Sequence, residues 1–420
     1  MKQRINGAYK KLRETNIISN FFNLSSIQVS NILLLILIIP IITRAVGIVE
    51  FGVIMFATRF SQFAGGVINY GTGQTGVRDV AFHIKDRGKL GEVFYNTLLI
   101  RIAIFALFLG VMFGLKWFTV KYYPFLLFSI PVAFAEVVNP LCFFIGAERL
   151  KMYNLLNMLS NVAAVAAVLT FIKNPGDAIW VNFILGMCNV AAYVGLLVYL
   201  IKKLGVPFYM PRKAELLKIG KDNFYLTINN LSVNLQQSII IFALPMWGLE
   251  ALLGPYSLCD RIIGQCRNLL ITISNALYPN AAHLYQQSIS LWNVYRKKTK
   301  YLLAGVFFSG SLLIFILADF IVFTLSKEHN ETAIVFLKIM AFVPAVSALN
   351  VLNVLDQLLK NNTVYIFRIA VILFVLSLLT AFVLLNFSNY PLVGSFTLIV
   401  ETCALLMYEF IVKKTAQQHA

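Results

Sequence analysis

The stretch ILLLILIIPIITRAVGIVEFGVIMFATRFSQFAGGVINYGTG, Ile32 to Gly73, decides how this chain is read. It is an apolar run, a short break at Thr43, Arg44 and Gly47, and a second apolar run with Arg59 near its middle. A helix needs about 20 mostly apolar residues to cross the hydrocarbon core of a bilayer, and the stretch holds two such runs. A second hairpin, LPMWGLEALLGPYSLCDRIIGQC from Leu244 to Cys266, sets Gly254 and Arg261 at an offset of 202 residues from Gly52 and Arg59. Two hairpins whose second helix carries an arginine at mid-depth predict a duplicated transporter.

The composition agrees. Of 420 residues, 59% are hydrophobic and 13% charged, and the mean hydropathy is +0.78. A soluble domain carries roughly 25% charged residues, so there is too little polar surface here for a body in water. The formal net charge of +17 does not signal nucleic acid, because the basic residues cluster in short loops between apolar runs. The five cysteines, Cys142, Cys188, Cys259, Cys266 and Cys403, lie in apolar runs without metal-ligand spacing and read as small buried hydrophobes. The basic stretch Met1–Asn16 precedes no small-residue cleavage site, so the first helix is expected to be retained.

The expected fold is an all-α integral membrane protein of twelve transmembrane helices. The spans fall near 18–43, 50–72, 93–116, 122–147, 150–172, 178–201, 222–247, 252–276, 301–325, 332–358, 363–386 and 390–412. With the N-terminus inside, the inner segments hold 24 Lys and Arg against 5 outside, which predicts cytoplasmic N- and C-termini. The segment 202–221, KKLGVPFYMPRKAELLKIGK, holds two prolines and six basic residues and reads as a cytoplasmic linker. It separates an N-terminal six-helix lobe (1–201) from a C-terminal one (222–420). Because six is even, the lobes are expected to be pseudo-symmetric about an axis along the membrane normal.

Polar groups inside a span are costly and usually face a cavity or one another. Arg59, Gln62, Gly66, Asn69 and Gly73 form a stripe at helical spacing, as do Arg261, Gln265, Asn268, Thr272 and Asn275. Asn223, Thr227, Asn230, Asn234 and Gln237 form a third, and Ser25 and Gln28 precede Thr227 and Asn230 by the same 202 residues. A shared polar chamber between the lobes follows. Its sugar-contacting groups would be Gln28, Gln62, Asn69, Asn230, Asn234, Gln237, Gln265 and Asn268. Arg59 and Arg261 sit about nine residues from the outer ends of their helices, near mid-depth at 1.5 Å per residue. There a guanidinium can grip phosphate or carboxylate bidentately, unless it is neutralised by a carboxylate as structural glue. Arg267, deeper on the same helix as Arg261, joins them. Arg101, Lys338 and Arg368 lie near span ends and are expected to snorkel. Glu136, Asp260, Asp356 and Glu401 are the candidates for ion coupling, Glu136 first, the alternative being service as arginine partners. Gly65–Gly66 and Gly71–Gly73 read as packing and hinge points. No catalytic constellation, nucleotide-binding loop, metal site or cofactor is expected, H⁺ or Na⁺ coupling aside.

Several segments together resemble a family. PIITRAVGIVEFG, Pro40 to Gly52, resembles the proline, arginine, L-G, E-F-G signature of Wzx-type polysaccharide-repeat flippases of the multidrug/oligosaccharidyl-lipid/polysaccharide exporter superfamily. Asn69-Tyr70-Gly71, PLCFFIGAERLK from Pro140 to Lys151, and Glu401-Thr402 match in order and spacing. The resemblance covers nearly the whole chain. It implies a bacterial inner-membrane flippase moving undecaprenyl-diphosphate-linked oligosaccharides to the outer leaflet by alternating access, for O-antigen (lipopolysaccharide) or capsule assembly. Membrane lipids surround it, and the pathway's polymerase and chain-length regulator are the implied partners. On the signature, Arg44, Glu50 and Gly52 are carried over, and Arg44 joins the anion-binding set. Arg59 matches no fixed family position, so its role rests on the helix argument. Cys142 stands where relatives often have Trp, which leaves Phe143 or Phe144 as the expected aromatic platform for a sugar. The rival readings are a drug/cation antiporter of the same superfamily, a membrane-embedded glycan transferase or ligase, and a lipid II flippase relative.

Overall fold

The computed structural model describes residues 2–118, 122–360, 362–387 and 390–417. Among the described residues the chain is helical, with short 3₁₀ turns and no strand. In chain order the helices of the first half are α1 (Lys2–Asn69), α2 (Thr72–His83), α3 (Arg87–Leu115), α4 (Tyr123–Phe128), α5 (Ile130–Val138), α6 (Leu141–Gly146), α7 (Leu150–Phe171) and α8 (Trp180–Leu204). The second half adds α9 (Lys213–Met246), α10 (Leu253–Gln287), α11 (Ile289–Ile316), α12 (Ala318–Ser326), α13 (Glu331–Met340), α14 (Val343–Leu359), α15 (Thr363–Phe387) and α16 (Phe396–Gln417).

Nine segments among the described residues are long and apolar enough to cross a membrane, so this is a multi-pass membrane protein. One of them, Ile32–Asn69, is broken at Gly47, whose φ of 83° is left-handed and interrupts the helix. The long helices α9 and α10, with 34 and 35 residues, are not among the nine. They are the helices that carry the Asn, Gln, Asp and Arg stripes, and those side chains lower their hydropathy.

The chain forms two compact units. The first comprises Met1–Ile38, Phe60–Ile172 and Ile179–Thr227; the second comprises Ile39–Arg59, Lys173–Ala178 and Ile228–Ala420. In the first unit α5 and α7 pack on α8, and α2 packs on α6. The segment 202–221 is held there too. A Cβ on Gly91 would lie 2.7 Å from the Pro207 carbonyl oxygen, Tyr95 meets Phe208 edge-on at 5.2 Å, and the Tyr70 hydroxyl donates to the Gly220 carbonyl at 3.1 Å. In the second unit α14 is central, packed by α10, α11 and α16.

The middle of α1 belongs to the second unit for a reason visible in atoms. A Cβ on Gly52 would sit 2.5 Å from the backbone nitrogen of Gly254, and one on Gly254 would sit 2.0 Å from the Ile48 carbonyl oxygen. The two glycines related by the sequence offset thus lie against each other, at a separation no side chain permits. Thr43 adds a hydroxyl bond of 2.6 Å to the Leu325 carbonyl.

Candidate functional site

In the second unit, α1 and α10 bring Arg59 to Asp260 as an ion pair. Both side chains are mostly buried, with 22% and 10% of their surface exposed. Burial raises the cost of leaving either charge alone and so favours the pair. Arg261, the next residue on α10, feels the charges of Arg59 and Asp260, yet makes no hydrogen bond or ion pair among the described residues. One carboxylate is therefore shared against two guanidinium groups, which leaves one positive charge over.

Two turns further along α10, Arg267 pairs with Glu401 of α16 at 3.2 Å. They line a cavity of about 170 Å³ together with Gln236, Gln237 and Thr397. The Nε of Arg267 and the Oε1 of neighbouring Gln265 are buried without hydrogen-bond partners. One donor of the cavity-lining Arg267 and one acceptor of Gln265 are thus left without a hydrogen bond. Asn230 and Asn234 are half-buried on α9 in the same unit, while Gln237 and Asn268 are exposed. Arg44 is exposed near the Gly47 break.

The first unit handles its charges differently. Arg101 is 2% exposed and reaches inward, so snorkelling is corrected for this residue. It donates to the Thr72 hydroxyl at 2.9 Å and to the carbonyls of Glu136 and Asn139 at 3.2 and 2.7 Å. Those carbonyls are the orphan acceptors at the end of α5, where Pro140 stops the helix. The carboxylate of Glu136 receives only the Asn139 amide, at 3.3 Å, and has no cationic partner among the described residues. Gly65 makes room for it: a Cβ there would lie 2.7 Å from the Glu136 Cγ. Asn69 spends its side chain on the α2 start, where its Oδ1 accepts from the Gly73 amide at 2.7 Å. Gln62 is exposed. The Gln28 side chain lies outside the described residues. Lys338 and Arg368 are exposed.

Two further placements matter. Asp356, wholly buried, accepts from the Trp292 indole at 2.7 Å and pairs with Arg296 at 3.0 Å and Lys360 at 2.8 Å. Lys300 pairs with Glu409 and reaches Asn353 at 3.5 Å. Sequence reading singled out neither Trp292 nor Glu409. Phe143 and Phe144 are 4% and 0% exposed, packed on Phe94 and Tyr153, so neither presents a ring to a sugar.

The family profile described as "Polysaccharide biosynthesis protein" matches residues 17–285, more than half of the chain. The chain belongs to the polysaccharide biosynthesis protein family. An Escherichia coli K12 protein named "Putative O-antigen transporter" is 21% identical over 398 residues, 93% of this chain and 96% of that one. Among solved structures, an inward-facing multidrug resistance MATE family transporter of the MOP superfamily superposes with a TM-score of 0.69 at 12% identity, over 95% of this chain and 96% of that one. A MOP superfamily transporter from Pyrococcus furiosus gives 0.62 at 13% identity, over 96% of each chain. The fold of this family member is therefore that of the MOP superfamily, as the resemblance implied.

Proposed function

We propose that this protein is a flippase of the bacterial inner membrane. It moves undecaprenyl-diphosphate-linked oligosaccharide repeat units from the cytoplasmic to the outer leaflet by alternating access, for O-antigen or capsule assembly. Arg261 is the observation that carries this reading. A guanidinium on a transmembrane helix, beside a second arginine and with only one carboxylate between them, lacks an anion. A diphosphate supplies about two negative charges and matches the planar donors of arginine. Gln236, Gln237, Gln265 and Arg267 add donors and acceptors of the kind that sugar hydroxyls take.

In this reading the chain crosses the membrane twelve times. The nine apolar segments become twelve when α1 is counted as two at Gly47 and the polar helices α9 and α10 are added. Both termini then lie in the cytoplasm, in keeping with the loop charges. The halves 1–201 and 222–420 act as two six-helix lobes joined by the basic segment. Glu136 is the proton- or Na⁺-coupling group, because of the four candidate carboxylates its own is the one in no ion pair among the described residues. Asp260, Glu401 and Asp356 are each already neutralised. The pathway's polymerase and chain-length regulator are the expected protein partners.

The test is reconstitution. Purified protein in proteoliposomes is given a labelled undecaprenyl-diphosphate oligosaccharide in one leaflet, and its protection from an enzyme on that side is followed. Wild-type protein should confer protection, and Arg59→Ala with Arg261→Ala should abolish it while expression and insertion persist. Undiminished protection by the double variant would remove the anion site. Binding of organic cations without glycolipid movement would favour the drug-antiporter reading instead.

A further inference from the structure

We propose that a second cavity, enclosed by α2, α3 and the first turns of α9 in the first unit, is a binding site for a neutral or amine-bearing sugar ring. It is separate from the arginine site of the second unit. The inference rests on the flippase reading, in which the cargo carries sugars and this end of the unit faces the cytoplasm.

The cavity has a volume of about 360 Å³, within the range of about 300–1,000 Å³ for small-molecule sites. Its charged walls are Asp79, Glu92, Glu215 and Asp222 against Arg78 and Lys218, with His83 beside them. Arg78 is already committed to Asp79 at 2.9 Å. The cavity is thus net negative, although the loops at this end carry most of the chain's Lys and Arg. A phosphate or a uronate would be repelled. A metal ion is no better served, since no three His, Cys, Asp or Glu side chains among the described residues are grouped to hold one.

What the walls do offer is hydrogen bonding to hydroxyl and amine groups. Asn96 is 2% exposed and lines the cavity. Its Nδ2 donates to Glu215 Oε2 at 3.2 Å, which fixes the amide orientation because a carboxylate only accepts. Its Oδ1 is left buried and without a donor. An orphaned amide oxygen is costly and calls for an incoming O–H or N–H. Next to it, the Thr97 hydroxyl has no hydrogen-bond partner among the described residues and lines the same cavity. Carboxylates that accept from vicinal hydroxyls, with an amide and threonines beside them, suit a sugar ring better than any anion. Glu215 and Lys218 come from α9, so an occupant would also hold the segment between the halves against α2 and α3.

Saturation-transfer NMR on the full-length protein in nanodiscs tests this, with glucosamine, N-acetylglucosamine and glucuronate as probes. Transfer is expected to the first two and not to glucuronate. Asn96→Ala, and separately the milder Glu92→Gln, should weaken binding about tenfold, the loss of one good hydrogen bond. Arg261→Ala should leave it unchanged. Thermal unfolding of each variant verifies that it is folded, and Glu92→Gln keeps the test valid should Asn96→Ala fail to fold. No transfer from wild-type protein to either sugar, or transfer that survives in the folded variants, overturns the proposal. If sugars bind here while glycolipid is not flipped, the transport reading fails and the site stands. If glycolipid is flipped while no sugar binds here, the reverse holds.

Discussion

Both units bury arginine and carboxylate side chains, but they pair them differently. In the second unit Arg59 faces Asp260 and Arg267 faces Glu401, charge against charge, with Arg261 over. In the first unit Arg101 is satisfied by a hydroxyl and two backbone carbonyls, and the Glu136 carboxylate by a single amide. The first arrangement leaves more arginine than carboxylate, the excess that the proposed anion site uses. The second keeps a carboxylate outside any ion pair among the described residues. The function proposed above places anion binding in one unit and ion coupling in the other, and each part of that proposal can be broken separately.

The largest effect should come from Arg101→Met. It strips the Thr72 hydroxyl and the end of α5 of their donors at once. Each buried acceptor left open costs about 1–3 kcal/mol, so the variant should lose several kcal/mol in denaturant unfolding. Equal stability would mean that Arg101 is not the cap of α5.

Asp260→Asn comes next. It frees Arg59 without removing volume, and the unit then holds two unmatched guanidinium groups. Stability should fall by about 3 kcal/mol, the cost of breaking a buried pair. Pyrophosphate affinity, measured by calorimetry, should rise about tenfold. A fall in affinity would show that Asp260 orients the arginines rather than competing for them.

Glu136→Gln should leave folding and anion affinity nearly unchanged while flattening the dependence of flipping on an imposed ion gradient. Glu401→Gln should retain that dependence. If the two variants exchange behaviours, the division between the units is wrong.

The smallest effect concerns the segment between the halves. The Tyr209 hydroxyl, 2.6 Å from Glu215, and the Asn96 amide hold the Glu215 carboxyl below the usual carboxylate range. A depressed folded-state pKa contributes stability above the unfolded value of 4.5, and that contribution is lost as pH falls through the folded value. Protease cutting within 202–221 should therefore quicken slightly as the pH falls below about 4.5, and Tyr209→Phe should remove part of that dependence.

Much of this was legible in the chain itself. The apolar runs gave a multi-pass helical protein, and the offset that pairs Gly52 with Gly254 turned out to join residues that touch. The arginine–carboxylate pairing of Arg59 and Arg267 was foreseen as an alternative, though not which carboxylate each would take. Helical spacing places side chains on one face of one helix and says nothing of what faces it. The same limit explains Arg101. Distance from a span end suggested snorkelling, whereas the free carbonyls that Asn139-Pro140 leaves at the end of α5 draw the guanidinium inward. That dipeptide was the available signal. Asp356 shows the limit again, since its partners Trp292 and Arg296 lie more than 50 residues away in sequence. Phe143 or Phe144 was expected as a platform because the family resemblance puts an aromatic residue at the position of Cys142, and burial in the core decided otherwise.

The central claim is that Arg261 holds an unmatched positive charge for a lipid-linked diphosphate. The most direct measurement is the affinity of purified protein for undecaprenyl diphosphate in nanodiscs, compared among wild type, Arg261→Ala and Arg59→Ala. Loss of a charge-assisted bond of about 1.5–3 kcal/mol predicts a 10- to 100-fold weaker Kd for Arg261→Ala. Arg59→Ala should weaken binding less, because Asp260 already occupies that guanidinium. An unchanged affinity in Arg261→Ala would contradict the account.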